Sequence, residues 1–158
     1  MVIEIFKKNS DLKLKIKDLI IYLIECEKVT DFLFGSKSSF NDFCYEIVSN
    51  LMDTYPYVKR IYVRAEYPII SNDYYNYLKT IYEESYFFDK KLQTNKFSHI
   101  RRNQYIVENS DICLFYYDKS YMPNTKTRSG TRIAYEYAVT KGKTIFNVLN
   151  YSEQYLPT

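Results

Sequence analysis

Arg128-Ser129-Gly130-Thr131-Arg132-Ile133-Ala134-Tyr135-Glu136-Tyr137-Ala138, continued by Val139 to Lys141, Gly142-Lys143 and the apolar run Thr144 to Leu149, is the stretch on which the fold turns. It runs from a polar loop through a Gly-Thr helix start and a helix with small and apolar residues on one side. A glycine then stops the helix and a β-branched strand follows. A helix opening from a Ser-Gly-Thr loop presents unpaired backbone N–H groups, hydroxyls and the positive end of its dipole, which suits a phosphate. The same residues also serve an ordinary helix cap. The stretch alone does not choose between these readings.

Working outward, Asp111 to Tyr117 reads as a buried strand through Ile112, Cys113, Leu114 and Phe115, and Ser98 to Asn109 as a helix carrying Arg101-Arg102-Asn103. Between Phe40 and Tyr55 the residues Phe40, Phe43, Cys44, Ile47, Val48, Leu51 and Met52 follow helical spacing, and Pro56 marks the exit. Asp31 to Phe34 is a short strand broken by Gly35-Ser36-Lys37-Ser38-Ser39. Asp11 to about Glu27 is an amphipathic helix through Leu12, Ile16, Leu19, Ile20, Leu23 and Ile24. Val2 to Phe6 reads as a strand, with Lys7-Lys8-Asn9-Ser10 as the turn after it. Arg60 to Tyr67 is a strand ended by Pro68, and Tyr86 to Phe88 another. The Tyr-rich segment from Ile69 to Glu84 has weak periodicity and takes no assignment.

Strands alternating with helices predict an α/β fold of one domain over residues 1–158. Its mostly parallel sheet is covered on both faces, with the Asp111 and Thr144 strands central and the Phe40 helix on one face. Ligands of such sheets bind outside the C-terminal strand ends. That rule brings the loops at 35–39, 64–67 and 118–131 and the start of the Arg101 helix to one edge.

Composition narrows the function. Lys and Arg number 22 against 19 Asp and Glu, a net charge of +3 with no long basic run, so a nucleic-acid partner is not expected. No segment is apolar for long enough to span a membrane, and the N-terminus lacks the pattern of a signal peptide. Cys26, Cys44 and Cys113 lie far apart in apolar segments and read as reduced core residues of a cytoplasmic protein, with no metal-ligand spacing. The 19 Tyr and 10 Phe with no Trp suit a pocket or an interface, although biased coding DNA gives the same excess.

Four blocks, Gly35 to Asp42, Arg60 to Tyr67, Arg101-Arg102-Asn103 before Ser110-Asp111, and Ser129-Gly130-Thr131 through Lys141-Gly142-Lys143, together resemble the SLOG superfamily, which unites the Smf/DprA and Lonely Guy proteins. The likeness covers roughly residues 30–149 and is greatest to small bacterial members of unsettled function. It implies a Rossmann-like three-layer sandwich with a nucleotide-derived ligand held between the loop after the second strand and the glycine loop before the last helix. Members act as phosphoribohydrolases, as DNA-binding proteins, and as sensors of cyclic ADP-ribose signals in the Thoeris antiphage system.

Two departures bear on chemistry. Ser38 and Ser129 stand where relatives often carry glycine. The related hydrolases have a catalytic Glu three residues after the helix-opening Thr, where this chain has Ala134, which can neither attack nor stabilise an oxocarbenium ion. Glu136 lies roughly 200° further around the helix and is assigned to a ribose hydroxyl.

The resulting expectation is a non-enzymatic, cofactor-free and metal-free binder of an ADP-ribose-like or cyclic ADP-ribose-type ligand. It would sequester or sense that ligand in antiviral defence or counter-defence, and work as a homo-oligomer. Its binding set is Gly35, Ser36, Arg101, Asn103, Ser129, Gly130, Thr131 and Glu136, with no catalytic residue. The alternative is a small N-glycosidase or phosphoribohydrolase using Glu136 or Glu66. Arg64 and Glu66 share a strand face, where an ion pair competes with ligand contact. His99 is expected at the surface, Asp118 in a turn or at the pocket edge, and Lys126 and Arg128 in a loop that either closes over an anion or is merely mobile.

Overall fold

Residues 2–10 hold neither Gly nor Pro, and the helix that the apolar spacing starts at Asp11 runs back through them. The computed structural model describes the backbone of residues 2–35, 38–120 and 129–150, with side chains from residue 10 onward. The first element is α1 (Val2–Glu25), so the strand expected at Val2 to Phe6 is helix instead. β-branched residues disfavour a helix only weakly, and a helix already extending from Asp11 has no breaker to stop it. There follow β1 (Asp31–Phe34), α2 (Ser39–Leu51), β2 (Lys59–Arg64), α3 (Asn72–Ile81), β3 (Glu84–Phe87), α4 (Ser98–Glu108), β4 (Ile112–Phe115), α5 (Gly130–Thr140) and β5 (Thr144–Asn147). A 3-10 turn over Val148–Asn150 closes the described chain.

Every strand pairing is parallel: β1 with β2, β2 with β3, and β4 with β5. The fold is the expected Rossmann-like α/β sandwich, but its strands form two ladders, β1-β2-β3 and β4-β5. The strands expected at its centre therefore make a ladder of their own, and β2 is the middle strand of the larger one. Among the described residues no backbone hydrogen bond joins the ladders. Side chains do so instead: the main core combines Ile16, Leu19, Ile20, Leu23 and Ile24 of α1 with Phe34 of β1 and Cys44, Ile47, Val48 and Leu51 of α2. Phe32 of β1, Ile112 and Leu114 of β4 and Phe146 of β5 pack on the same cluster.

The opposite face is covered by α4 and α5. Val63 and its register partner Tyr86 lie under Tyr105 and Ile106, the Tyr86 and Tyr105 rings 6.1 Å apart, while Cys113 and Ala138 meet Val107, Phe115 and Ile145. α3 begins at Ser71, whose Oγ accepts from the Tyr74 N–H at 3.2 Å, and is tied to α2 by the Tyr45 hydroxyl donating to the Ile81 carbonyl at 2.7 Å. The Gly142-Lys143 exit of α5 is a Schellman turn. Gly142 has φ +64°, its N–H donates to the Val139 carbonyl at 3.0 Å, and the Lys143 N–H reaches Ala138 at 3.0 Å. Of the cysteines, Cys44 and Cys113 are buried, but Cys26 is exposed just beyond the end of α1 and is not a core residue.

Candidate functional site

The site begins where β1 ends. Gly35 follows Phe34 and is buried, and a Cβ built on it would lie 2.6 Å from Ile106 Cδ1, 2.7 Å from Arg102 Cδ and 2.9 Å from Arg102 Nε. Only glycine lets the stem of Arg102 lie against this strand end. The strand edge, Gly35 and the Arg101-Arg102 helix thus meet as the sheet rule requires.

Arg102 is only 3% exposed. Its Nε donates to Asn103 Oδ1 at 2.8 Å, and its Nη1 makes a long 3.4 Å contact with the Val63 carbonyl. Among the described residues its Nη2 forms no hydrogen bond and the guanidinium forms no ion pair. Burial holds Arg102 below the usual arginine range, and the fields of Tyr62 and Glu66 oppose that shift. A guanidinium stays charged regardless, so this is a buried cation without a partner carboxylate. Asn103, a member of the expected binding set, orients Arg102 through its amide oxygen.

A second such cation lies at the end of β2. Arg64 is 8% exposed, its Nη1 donates to the Tyr67 carbonyl at 2.8 Å, and its buried Nε has no partner. Desolvation lowers its pKa too, against the fields of Tyr74 and Tyr62. The Arg64–Glu66 ion pair weighed from the sequence is absent: Glu66 is exposed and makes no ion pair among the described residues.

Across the seam between the ladders, Phe40 in the first turn of α2 stacks on Tyr116 just past β4, with centroids 5.9 Å apart and planes at 27°. The next residue, Tyr117, is fixed by the buried Asn147 side chain, which accepts from its N–H at 3.1 Å and donates to its carbonyl at 2.7 Å. Nearby, Ser129 caps α5, its Oγ accepting from the Arg132 N–H at 3.1 Å. Gly130 and Thr131 are exposed, and a Cβ at Gly130 would meet nothing within 4 Å. Ala134 is buried, its methyl packed into the protein. Glu136 accepts a 2.8 Å hydrogen bond from Arg132 Nε one turn back.

The structure divides the arginine pair. Arg101 lies on the outer side of α4, its Nη2 bonded to Asp89 Oδ2 at 2.9 Å and its guanidinium 5.3 Å from the Phe88 ring. It borders a hollow of about 220 Å³ with Asp89, Tyr105, Glu108 and Tyr137. Arg64 and Arg102, with Tyr62 beside them on β2, are outside the expected binding set yet are the polar groups buried or half-buried at this strand end. His99 is exposed as expected, and Asp118 Oδ1 accepts from the Ser120 N–H at 2.9 Å, a turn role. Ser36, Lys126 and Arg128 lie outside the described residues. Among the described residues no group of three or more His, Cys, Asp or Glu side chains could hold a metal ion, and no helix is long and apolar enough to cross a membrane.

No protein-family model matches this chain, and no curated protein sequence matches it either.

Proposed function

We propose that this protein binds a phosphorylated, nucleotide-derived small molecule at the C-terminal edge of its parallel strands, as the SLOG resemblance suggests. The observation that supports this reading is Arg102, a guanidinium 3% exposed with no carboxylate partner among the described residues, laid over Gly35 at the end of β1. A cation buried without a counter-charge costs several kcal/mol, and a bound anion offsets that cost. Gly35 supplies close backbone approach, Asn103 orients the guanidinium, and the Ser129-Gly130-Thr131 opening of α5 offers N–H groups to a second part of the ligand. Ala134 disfavours turnover, which leaves sequestration or sensing of an ADP-ribose-like or cyclic signal as the role of the site. A homo-oligomer is part of the same proposal.

Native mass spectrometry of the purified protein tests this directly, because a retained nucleotide and the subunit count are read in one spectrum. The expected result is an added mass of a phosphorylated nucleoside derivative, or its appearance after adding ADP-ribose, with no free base released from NAD, ADP-ribose or nucleoside monophosphates. Release of free base that disappears in Glu136→Gln would replace the binding reading with the N-glycosidase.

A further inference from the structure

β2 ends between two guanidiniums that approach it from opposite sides. Val63 faces α4, packing with Tyr105 and Ile106, and it is on this side that Arg102 reaches the Val63 carbonyl. Tyr62 and Arg64 alternate with Val63 along the strand and so point to the other face, where the Tyr62 ring stacks on Tyr82 with centroids 5.2 Å apart and planes at 19°. Arg64 is more than nine-tenths buried, yet only its Nη1 is satisfied, by the Tyr67 carbonyl. Its Nε is buried without a partner, and among the described residues neither its Nη2 nor the hydroxyls of Tyr62 and Tyr74 make a hydrogen bond. Unmet donors on a buried cation are rare in native proteins and call for an explanation. Arg102 reaches the carbonyl of Val63, the residue directly before Arg64 in β2, so the two cations share one neighbourhood rather than two unrelated ones.

We infer that Arg64, with the Tyr62 and Tyr74 hydroxyls, is a second anion-reading position beside Arg102, and that the ligand carries two phosphate groups, a nucleoside diphosphate derivative rather than a monophosphate. This deepens the proposed nucleotide binding and rests on it. Among the described residues neither buried guanidinium forms an ion pair, and Glu66, two residues past Arg64, is exposed and paired with neither. A monophosphate has one centre to offer, and a diphosphate has two linked ones. The unused Nε and Nη2 of Arg64 form the planar fork that matches a second phosphate.

Calorimetric titration of the protein with ADP-ribose, inorganic pyrophosphate, AMP and inorganic phosphate tests the inference. The parent is expected to bind ADP-ribose at least about tenfold more tightly than AMP, and pyrophosphate more tightly than phosphate by a similar factor. Arg64→Gln should reduce both ratios to within about twofold, and Arg64→Lys, which keeps the charge but lacks the Nε donor, should fall between. Arg102→Gln should instead weaken all four probes together. An arginine that merely pins the Tyr67 carbonyl would change stability but not the dependence on phosphate number. Equal binding of one- and two-phosphate probes by the parent, or a preference that survives in a folded Arg64→Gln, overturns this inference and leaves the Arg102 site standing. Failure of the parent to bind any of the four overturns both.

Discussion

Replacing Arg102 with Met should make the unliganded protein more stable and the liganded one impossible to form. Methionine is similar in length to the arginine stem, so the contacts over Gly35 and Ile106 are largely kept. What is lost is the 2.8 Å hydrogen bond to Asn103 Oδ1, worth about 1.5–3 kcal/mol to a charged donor, and a 3.4 Å contact to Val63 at the limit of bonding. Against this stands the desolvation penalty of a guanidinium only 3% exposed, several kcal/mol for an ion with no counter-charge among the described residues. The penalty is the larger, and the balance favours Met by about 1–3 kcal/mol. For a chain of 158 residues that is a rise in Tm of roughly 2–12 °C, read by differential scanning calorimetry without ligand. In parallel, ADP-ribose should cease to raise Tm in the variant while raising it in the parent. A folded Arg102→Met that melts below the parent would refute the reasoning, because it would mean that the guanidinium holds the fold together and is not waiting for an anion.

Three further outcomes follow from the same geometry. Gly35→Ala forces a Cβ to within 2.7 Å of Arg102 Cδ, so it should cost about 1–3 kcal/mol in urea unfolding and weaken ADP-ribose binding by displacing the guanidinium. Gly130→Asp meets open space and should leave Tm within about 1 °C of the parent while abolishing binding; unchanged affinity would reduce the α5 opening to a plain helix cap. A thiol reagent at neutral pH should modify Cys26 quickly and the other two only on unfolding, since burial raises Cys113 and pushes the Cys44 thiol up to about 12; fast titration of all three would contradict the packing.

Much of the architecture was legible because hydrophobic period and breakers agreed. The Asp31 to Phe34 strand, the Phe40 helix and the Ser129-Gly130 opening of α5 fall where spacing and cap chemistry place them. Val2 to Phe6 failed because four β-branched or apolar residues do not outweigh an adjoining helix with no breaker between. The segment over α3 was opaque because its tyrosines occupy both faces, with Tyr75 and Tyr77 exposed and only Leu78 buried.

At the site, the sequence brought Gly35 and the arginine pair to one edge but named the outer arginine. Successive helical residues differ by about 100°, so which of Arg101 and Arg102 faces the sheet depends on how α4 is turned. A signal was present in the apolar row: Ile106 packs inward, and one step of four back along that ridge lands on Arg102, and another on the buried Ser98. The isolation of Arg64 from Glu66 had no such trace, because adjacency along a strand face does not fix whether two long side chains meet.

α1 has a role that its position at the start of the chain conceals. Five of its side chains, Ile16, Leu19, Ile20, Leu23 and Ile24, are at most 3% exposed, and Tyr22 meets Phe146 of β5 with centroids 6.1 Å apart while Lys13 reaches Glu46 of α2 at 3.4 Å. Those five side chains bury about 7–15 kcal/mol of apolar transfer energy, as large as the net stability of a typical domain. Since no backbone hydrogen bond among the described residues crosses between the ladders, the helix acts as a splint laid over a joint. The alignment of Gly35 on one side of that joint with Tyr116 on the other is thus inherited from residues 16–24, which meet Phe34 just before Gly35. A cavity cut into that helix should blunt binding without touching any group that contacts the ligand.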